Sequence, residues 1–242
     1  INAGIDMSMV PADFSFYDLL VEAVRLKEVP MARIREAVQR ILTLKYTLGL
    51  FDNPYTEQAA ITNFGKPEYQ ALAMNAARES ITLLKNANNI LPLKKEAKVL
   101  VAGPAAQSLA ALNGAWSYTW QGKEDQWYPA DSKTILQAIK DKVGAGNVIT
   151  TTVKGFQSVE NYNVFTLKSA AEKADVIVLC IGEDAYAESP GNTRDLALPE
   201  EQVALVKAAQ LTGKPVVLVL SQGRPLFITN IEPAAGGILL AY

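Results

Sequence analysis

The chain has 242 residues and a formal net charge of −2; 49% of its residues are hydrophobic and 20% are charged. This composition is typical of a globular protein with ample core, and the small net charge gives no electrostatic case for nucleic-acid binding. There is no histidine and only one cysteine, which excludes Ser-His-Asp and Cys-His catalysis, argues against zinc or iron sites and rules out a disulfide framework.

The N-terminal part of the chain carries helical patterns. FSFYDLLVEAVRL predicts one helix, and VPMARIREAVQRILTLKYTLGLF predicts a second. Pro30 is typical of a first helical turn and Gly49 of the position just past a helix end. A polar connection, TEQAAITNFGKP, leads to a third predicted helix, EYQALAMNAARES. The apolar residues that recur at helical spacing in the second helix are Ile34, Val38, Ile41 and Leu42.

Strand and helix patterns alternate through the rest of the chain. The predicted strands are ITLLKN, KVLVAG, NVITTTVKG, DVIVLCIG, PVVLVLS and ILLAY. Between them lie the helical patterns SKTILQAIKDKVG, FTLKSAAEKA and PEEQVALVKAAQLTG. Such alternation predicts parallel strand pairing with helical crossovers, hence an α/β fold. DVIVLC and VVLVL are apolar on both faces, as helix-covered parallel strands are, so Cys180 is predicted to be a buried, inert thiol.

Acidic residues follow the strand DVIVLCIG directly. Ligands of open α/β sheets bind beyond the carboxyl ends of the strands, and the loop EDAYAESPGNTRD lies at such an end, as do GPAAQSLAALNGAWSYTWQG and SQGRP. A carboxyl group in such a loop is usually solvated or caps the next helix. Spacing alone does not distinguish a catalytic group among Glu183, Asp184 and Glu188.

The segment NGAWSYTWQG places Trp116, Tyr118 and Trp120 at alternate positions. In an extended segment all three would lie on one side and could stack on a sugar ring, while Ser117 and Gln121 could bond its hydroxyls. The alternative is that the aromatic rings fill the sheet edge as core. VAGPAAQ lacks the second and third glycines of a dinucleotide fingerprint, so no nucleotide cofactor is predicted.

Six segments resemble, in chain order, glycoside hydrolase family 3, in particular plant exo-β-glucanases and bacterial β-glucosidases. They are GIDMSMVP, RILTLKYTLGLFDNPY, ARESITLLKN, GAWSYTWQG, GEDAYAES and SQGRPL. The resemblance implies a (β/α)8 barrel followed by an α/β sandwich domain. Residues 1–55 would be the C-terminal helices of the barrel, residues 56–67 a linker, and residues 68–242 a largely parallel-sheet α/β sandwich that is truncated at its C-terminus.

The resemblance also implies a retaining, exo-acting β-glucosidase or β-glucan exohydrolase that removes terminal β-D-glucose by double displacement. Glu188 is the second Glu of the family's G-E-x-x-Y-x-E pattern and would be the general acid/base, with Glu183 structural. Trp120 would stack on the aglycone sugar and Met9 would border the glucose pocket. The nucleophilic Asp would lie upstream of the AGIDM stretch, so the isolated chain is expected to be inactive. No cofactor or metal is implied.

Two positions depart from the family pattern: Gly191 is followed by Asn192 where the family often has Asp, and Gly114 by Ala115 where it has a second Gly. The preferred linkage and the choice between glucosides and xylosides therefore stay open. The sequence also does not indicate the oligomeric state. The alternatives are a catalytically inactive α/β sugar-binding module and a β-glucoside phosphorylase of the same family.

The expected partners are a β-linked gluco-oligosaccharide and the barrel domain of the same protein, with no nucleic acid and no membrane. The resemblance to the family favours a periplasmic or secreted location. The chain begins INAGIDMSMVP without a start methionine and ends in the strand pattern GGILLAY, so we expect both ends to continue in a longer protein.

Overall fold

The computed structural model describes residues 1–151, 156 and 164–242. By their contacts the residues form two compact units, Ile1–Gln70 and Ala71–Tyr242. No helix within the described ranges is both long and apolar enough to cross a membrane.

The first unit contains helices α1 (Ser15–Arg25) and α2 (Met31–Thr47), and a short 3₁₀ helix, Gln58–Asn63, follows them. Pro30 directly precedes α2, and its carbonyl accepts a hydrogen bond from the N–H of Arg33. Gly49 follows the end of α2 with φ of +68°, a conformation that glycine adopts without steric cost. The predicted helix boundaries therefore agree with the structure. Helix α3 (Pro67–Ser80) contains the point at which the two units divide.

The second unit is built on a six-stranded sheet with the order β1-β6-β5-β4-β2-β3. Its strands are β1 (Thr82–Asn86), β2 (Val99–Ala102), β3 (Val148–Thr150), β4 (Val176–Gly182), β5 (Val216–Ser221) and β6 (Gly237–Ala241). Its helices are α4 (Leu109–Asn113), α5 (Ile135–Val143), α6 (Val164–Ala171) and α7 (Glu200–Gln210). The predicted strand NVITTTVKG is found as β3, and its residues 152–155 lie outside the described residues.

The sheet is largely parallel, as predicted. β2 pairs in parallel with β3 and β4, β4 with β5, and β5 with β6. β1 differs, because it pairs antiparallel with β6 and carries a register shift between Leu83 and Lys85. The connection after β1, residues 87–98, contains no α-helix, so the strand–helix alternation that predicts parallel pairing does not apply to β1. The five-residue helix α4 was not predicted, because it is too short to show a helical period.

Strand β4 is buried along its whole length, between two layers of apolar side chains. Ile177 and Leu179 belong to a cluster with residues of α6 and α7, whereas Val178 and Cys180 belong to a second cluster on the opposite face. This alternation follows from the two-residue period of a strand. Cys180 is fully buried, and burial raises the pKa of its thiol to about 12. The predicted apolar burial on both faces is therefore confirmed.

Candidate active site

The carboxyl end of β4 leads into the acid loop, which we define as residues 183–191. The backbone is closely packed where the loop begins, because a Cβ on Gly182 would lie 1.9 Å from the carbonyl oxygen of Ser221 at the end of β5. The side chain of Gln202, which is buried in α7, donates to the carbonyl of Gly182 at 2.9 Å and accepts from its N–H at 2.8 Å. Strand β5 and helix α7 thus fix the base of the acid loop.

Arg224, from the SQGRP segment after β5, connects the two ends of the acid loop. Its Nε donates to Glu183 Oε1 at 2.6 Å, and its Nη1 donates to the carbonyl of Gly191 at 2.8 Å. The guanidinium carbon also lies 4.1 Å from the ring centroid of Tyr186, a cation–π arrangement. One planar cation therefore holds three residues of the loop at once, which a lysine ammonium could not do.

The ring of Tyr186 is packed closely inside the acid loop. A Cβ on Gly191 would lie 2.2 Å from this ring, so any other residue there would force the ring or the loop to shift. Burial, together with the negative charge of Glu183, raises the pKa of the Tyr186 phenol. The phenol therefore stays protonated at neutral pH. Its ring, packed against Gly191, lies at the centre of the loop.

The three acidic residues that spacing alone did not distinguish have different environments. Glu183 is paired with Arg224, and Asp184 lies 3.4 Å from the ammonium of Lys123. Glu188 is exposed, and among the described residues its carboxylate has no hydrogen-bond or ion-pair partner. Glu188 is thus the acid in this loop whose carboxylate remains available to a ligand.

The backbone of Glu188 adopts φ of +51° and ψ of −139°. Non-glycine residues rarely adopt positive φ, and each such position costs about 1–3 kcal/mol. The surrounding contacts must supply this energy, which a solvated loop without a defined geometry would not do. Strained residues of this kind are concentrated at functional sites.

The second element of the site is the aromatic loop, which we define as residues 114–122. It is not extended: the N–H of Trp116 donates to the carbonyl of Trp120 at 3.1 Å, and Trp116 has φ of +56°. The loop closes tightly, since a Cβ on Gly122 would lie 2.1 Å from the carbonyl oxygen of Gly114. The prediction that Trp116, Tyr118 and Trp120 lie on one side required an extended segment, and the segment is not extended.

The rings of the aromatic loop separate into two groups. Trp116 and Trp120 lie 6.5 Å apart between ring centroids, whereas Tyr118 packs edge-on against Tyr128 at 5.0 Å. The exposed fractions of Trp116, Tyr118 and Trp120 are 70%, 58% and 49%. The interpretation of these rings as core of the sheet edge is wrong, and the two indoles remain accessible to a ligand.

Gln121 joins the aromatic loop to the acid loop. Its Nε2 donates to the carbonyl of Ala187 at 3.2 Å, and its Oε1 accepts from the N–H of Ala187 at 3.1 Å. Trp120 and Glu188 are the sequence neighbours of this bonded pair, so both lie beside the same contact. Ser117 donates to the Gly114 carbonyl at 3.0 Å, so both side chains predicted to bond sugar hydroxyls also have partners within the protein.

Two cavities flank the acid loop. One, of about 290 Å³, is lined by both polar and apolar residues, among them Lys123, Asp184, Asn192 and Arg224. The other, of about 230 Å³, lies between the acid loop, residues 111–115 and residues 221–223. Small-molecule sites usually measure about 300–1,000 Å³, so neither cavity of this unit is large enough to enclose an oligosaccharide.

Met9 lies in the first unit and is 92% exposed. The segment that carries it is attached to α2, because Arg33 Nη2 donates to Asp6 at 2.6 Å and Arg40 Nη1 lies 3.1 Å from the same carboxylate. These contacts, the Arg33 hydrogen bond first, lower the pKa of Asp6. The second unit brings Glu188 and Trp120 to adjoining loops, whereas Met9 belongs to the other unit.

The sequence analysis assigned no role to Arg224, Gln202 or Lys123. A signal was available for Arg224, because it follows the predicted strand PVVLVLS, whose end lies at the same edge of the sheet as the acid loop. A cation at that edge can pair with a carboxylate of the loop. Gln202 lies on a helix face and carries no comparable signal in the sequence.

Comparison with known proteins shows the same architecture in sugar-cleaving enzymes. Residues 81–242 match the family model described as Glycosyl hydrolase family 3 C-terminal domain. The chain is 40% identical over 253 residues to the lysosomal beta glucosidase of Dictyostelium discoideum, covering 100% of this chain and 31% of that protein. It is 33% identical over 267 residues to the periplasmic beta-glucosidase of Salmonella typhimurium, covering 99% of this chain and 34% of that protein.

A solved structure extends this similarity to the fold. The beta-glucosidase from Listeria innocua, in complex with glucose, superimposes with a TM-score of 0.82 at 29% identity, over 99% of this chain and 32% of that chain. The chain spans about a third of the length of these relatives. The match to the family model and the 40% identity over the whole chain confirm the resemblance: this chain belongs to glycoside hydrolase family 3.

Proposed function

We propose that this chain is part of a retaining, exo-acting β-glucosidase or β-glucan exohydrolase, and that Glu188 is its general acid/base. The observation that carries the proposal is the contrast within one loop. Glu183 and Asp184 are paired with cations, whereas Glu188 has a strained backbone and an exposed carboxylate without a partner among the described residues. Relatives named beta glucosidase support the substrate class.

In the first step Glu188 donates its proton to the glycosidic oxygen while a second carboxylate attacks the anomeric carbon. The C–O bond breaks, the alcohol leaves with the proton, and a glycosyl-enzyme ester forms. In the second step the Glu188 carboxylate takes a proton from water, whose oxygen attacks the anomeric carbon. The ester bond to the second carboxylate breaks, and the sugar leaves with a new anomeric hydroxyl. Retaining enzymes hold the two carboxyl groups about 5–5.5 Å apart. We assign the second group to an Asp upstream of this chain.

Trp120 would form the wall on which the leaving sugar stacks. Its indole is half exposed and lies on the loop that Gln121 joins to the acid loop. Aromatic faces bind the apolar faces of sugar rings without requiring a particular hydroxyl pattern. Met9 would border the pocket for the sugar that is removed.

The proposal includes the arrangement of the longer protein. Residues 1–55 would end a (β/α)8 barrel, residues 56–67 would form a linker, and residues 68–242 would begin the α/β sandwich domain. The substrate would be a β-linked gluco-oligosaccharide, and the location would be periplasmic or secreted. Because the chain would supply one carboxyl group of a pair, the isolated chain would be inactive.

The test is replacement of Glu188 by Ala in the full-length protein that contains this chain. We expect kcat for phenyl β-glucoside to fall by about 10²–10⁴. With 2,4-dinitrophenyl β-glucoside, whose leaving group needs no protonation, glycosyl-enzyme should still form, and added azide should restore turnover and yield β-glucosyl azide. The matched control is Glu172→Ala, at an exposed acid that directly follows α6 and precedes β4. Unchanged activity of Glu188→Ala would refute the assignment.

Two further measurements address the alternatives. Assay of the same protein in phosphate distinguishes hydrolysis, which yields glucose, from phosphorolysis, which yields glucose 1-phosphate. Saccharide binding that persists in the full-length protein without any turnover would favour an inactive sugar-binding module.

A further inference from the structure

We propose that Gln121 is a positioning residue for the proton transfer by Glu188. Its side-chain amide holds the backbone N–H and carbonyl of Ala187 and thereby sets where the Glu188 carboxyl group lies relative to the indole of Trp120. The inference rests on the proposed function of Glu188, and it adds to that function the residue that couples the acid to the aromatic wall.

The contact between Gln121 and Ala187 restrains both translation and rotation. The amide of Gln121 donates to the carbonyl and accepts from the N–H of the same residue, at 3.2 and 3.1 Å. A single hydrogen bond would leave Ala187 free to turn about it, whereas two bonds to the two sides of one residue do not. Ala187 is 5% exposed. If the Gln121 side chain were removed, water would therefore not readily take its place as the hydrogen-bond partner of Ala187.

The other restraints on the acid loop act away from Glu188. Gln202 bonds Gly182, and Arg224 contacts Glu183, Tyr186 and Gly191. The carbonyls of residues 188 and 189 accept local backbone hydrogen bonds, from the N–H groups of Gly191 and Asn192. Among the described residues, Gln121 is the side chain that hydrogen-bonds segment 187–190 from outside the loop.

The aromatic loop, which carries Gln121, is itself rigid. Gly122 approaches Gly114 so closely that a Cβ would lie 2.1 Å from its carbonyl oxygen, and the hydroxyl of Thr119 accepts from the Gly122 N–H at 3.2 Å. Thr119 also donates to the carboxylate of Glu124. The aromatic loop is therefore a firm support, and the strained backbone of Glu188 at φ of +51° depends on such a support to persist.

A displaced acid has a specific kinetic consequence. A proton donor that lies out of line slows the departure of a leaving group that requires protonation, but not of one that leaves as a stable anion. A loss of general folding or of substrate binding slows both kinds of substrate. The ratio of the two rates therefore separates positioning from structure.

The experiment is Gln121→Ala in the full-length protein, assayed with phenyl and 2,4-dinitrophenyl β-glucosides. We expect kcat/KM for the phenyl substrate to fall about 10–100-fold, since a displacement near 1 Å costs up to about 100-fold. The dinitrophenyl substrate should lose less than about 3-fold, because its departure needs little proton donation. The control is Gln210→Ala, an exposed glutamine at the end of α7, which should change neither value.

A second variant keeps the inference testable if Gln121→Ala does not fold. Gln121→Glu retains the acceptor for the Ala187 N–H and loses the donor to its carbonyl. We expect an intermediate loss of kcat/KM with the phenyl substrate and a loss of less than about 3-fold with the dinitrophenyl substrate.

The outcomes separate this inference from the proposed function. If Glu188→Ala retains activity, the function fails and Gln121 has nothing to position. If Glu188→Ala behaves as an acid/base variant but Gln121→Ala slows both substrates equally, or neither, the inference is overturned while the function stands. Equal losses with the two substrates in Gln121→Glu also contradict it.

Discussion

Arg224 and Glu183 form a half-buried ion pair, with 2.6 Å between Nε and Oε1, at the point where the acid loop leaves β4. The same guanidinium bonds the carbonyl of Gly191 at the far end of the loop. The residues at the two ends are thus held by one side chain, and Glu188 lies between them.

Replacing Arg224 by Lys should weaken the loop although the charge is kept. An ammonium cannot donate to Glu183 and Gly191 together while it lies over the ring of Tyr186. We expect a loss of about 1–3 kcal/mol in the free energy of unfolding, since the pair is only partly exposed and its bonds are charge-assisted. Chemical denaturation of the wild type and variant measures this loss.

The control is the exposed ion pair between Lys133 and Asp141, which has the same N–O distance of 2.6 Å. Exposed pairs contribute about 0–1 kcal/mol, so Lys133→Ala should cost little. Equal losses at the two pairs would show that the Arg224 contacts do not stabilise the loop.

Replacing Gly191 by Ala should disturb the packing of Tyr186. The added Cβ would lie 2.2 Å from the ring, and the ring or the loop must move, at a cost of about 1–3 kcal/mol. Gly146→Ala is the matched control, because a Cβ there meets nothing within 4 Å. Thermal unfolding should show a lower Tm for Gly191→Ala alone. A similar Tm for both variants would contradict the packing described.

Tyr186 should make stability fall at high pH. Its pKa is raised in the folded protein, chiefly by burial and then by Glu183, so the unfolded chain loses this proton at a lower pH than the folded one. Stability from Tyr186 is therefore complete below a pH of about 10 and is lost as pH rises through the folded pKa.

The measurement is the free energy of unfolding between about pH 8 and pH 11 for the wild type and Tyr186→Phe. The variant should lose less stability across the alkaline range than the wild type. Tyr55→Phe is the control, since Tyr55 is 81% exposed. A Tyr186→Phe curve parallel to that of the wild type would count against the raised pKa.

Cys180 should be unreactive in the native protein. Its thiol is fully buried in β4, and burial raises its pKa to about 12, so neither access nor thiolate is available at neutral pH. Reaction with an aromatic disulfide reagent should occur only at the rate of unfolding. A Ser169→Cys variant, on the exposed side of α6, should react at once with its added thiol. Rapid modification of Cys180 in the folded wild type would refute the prediction.

Much of the fold could be predicted from the sequence because its signals are local. The apolar runs DVIVLCI and VVLVL predict strands covered on both faces, and burial in β4 and β5 agrees with this. Pro30 and Gly49 mark the ends of α2 through conformations that depend on one residue each. The antiparallel pairing of β1 was not predictable in this way, because its partner, β6, lies at the other end of the second unit's sequence.

The sequence by itself determined the family, the α/β class and the loops in which the polar and aromatic residues lie. Residue spacing left Glu183, Asp184 and Glu188 equivalent, and the family resemblance pointed to Glu188, but only the tertiary structure showed the cation partners of Glu183 and Asp184. Glu183 meets Arg224 across 41 positions of the chain, and Gln121 meets Ala187 across 66. Such contacts depend on the order of strands in the sheet, which brings strand ends from distant segments together. Spacing along the chain reports only which residues share a face, so it carries no record of these pairs.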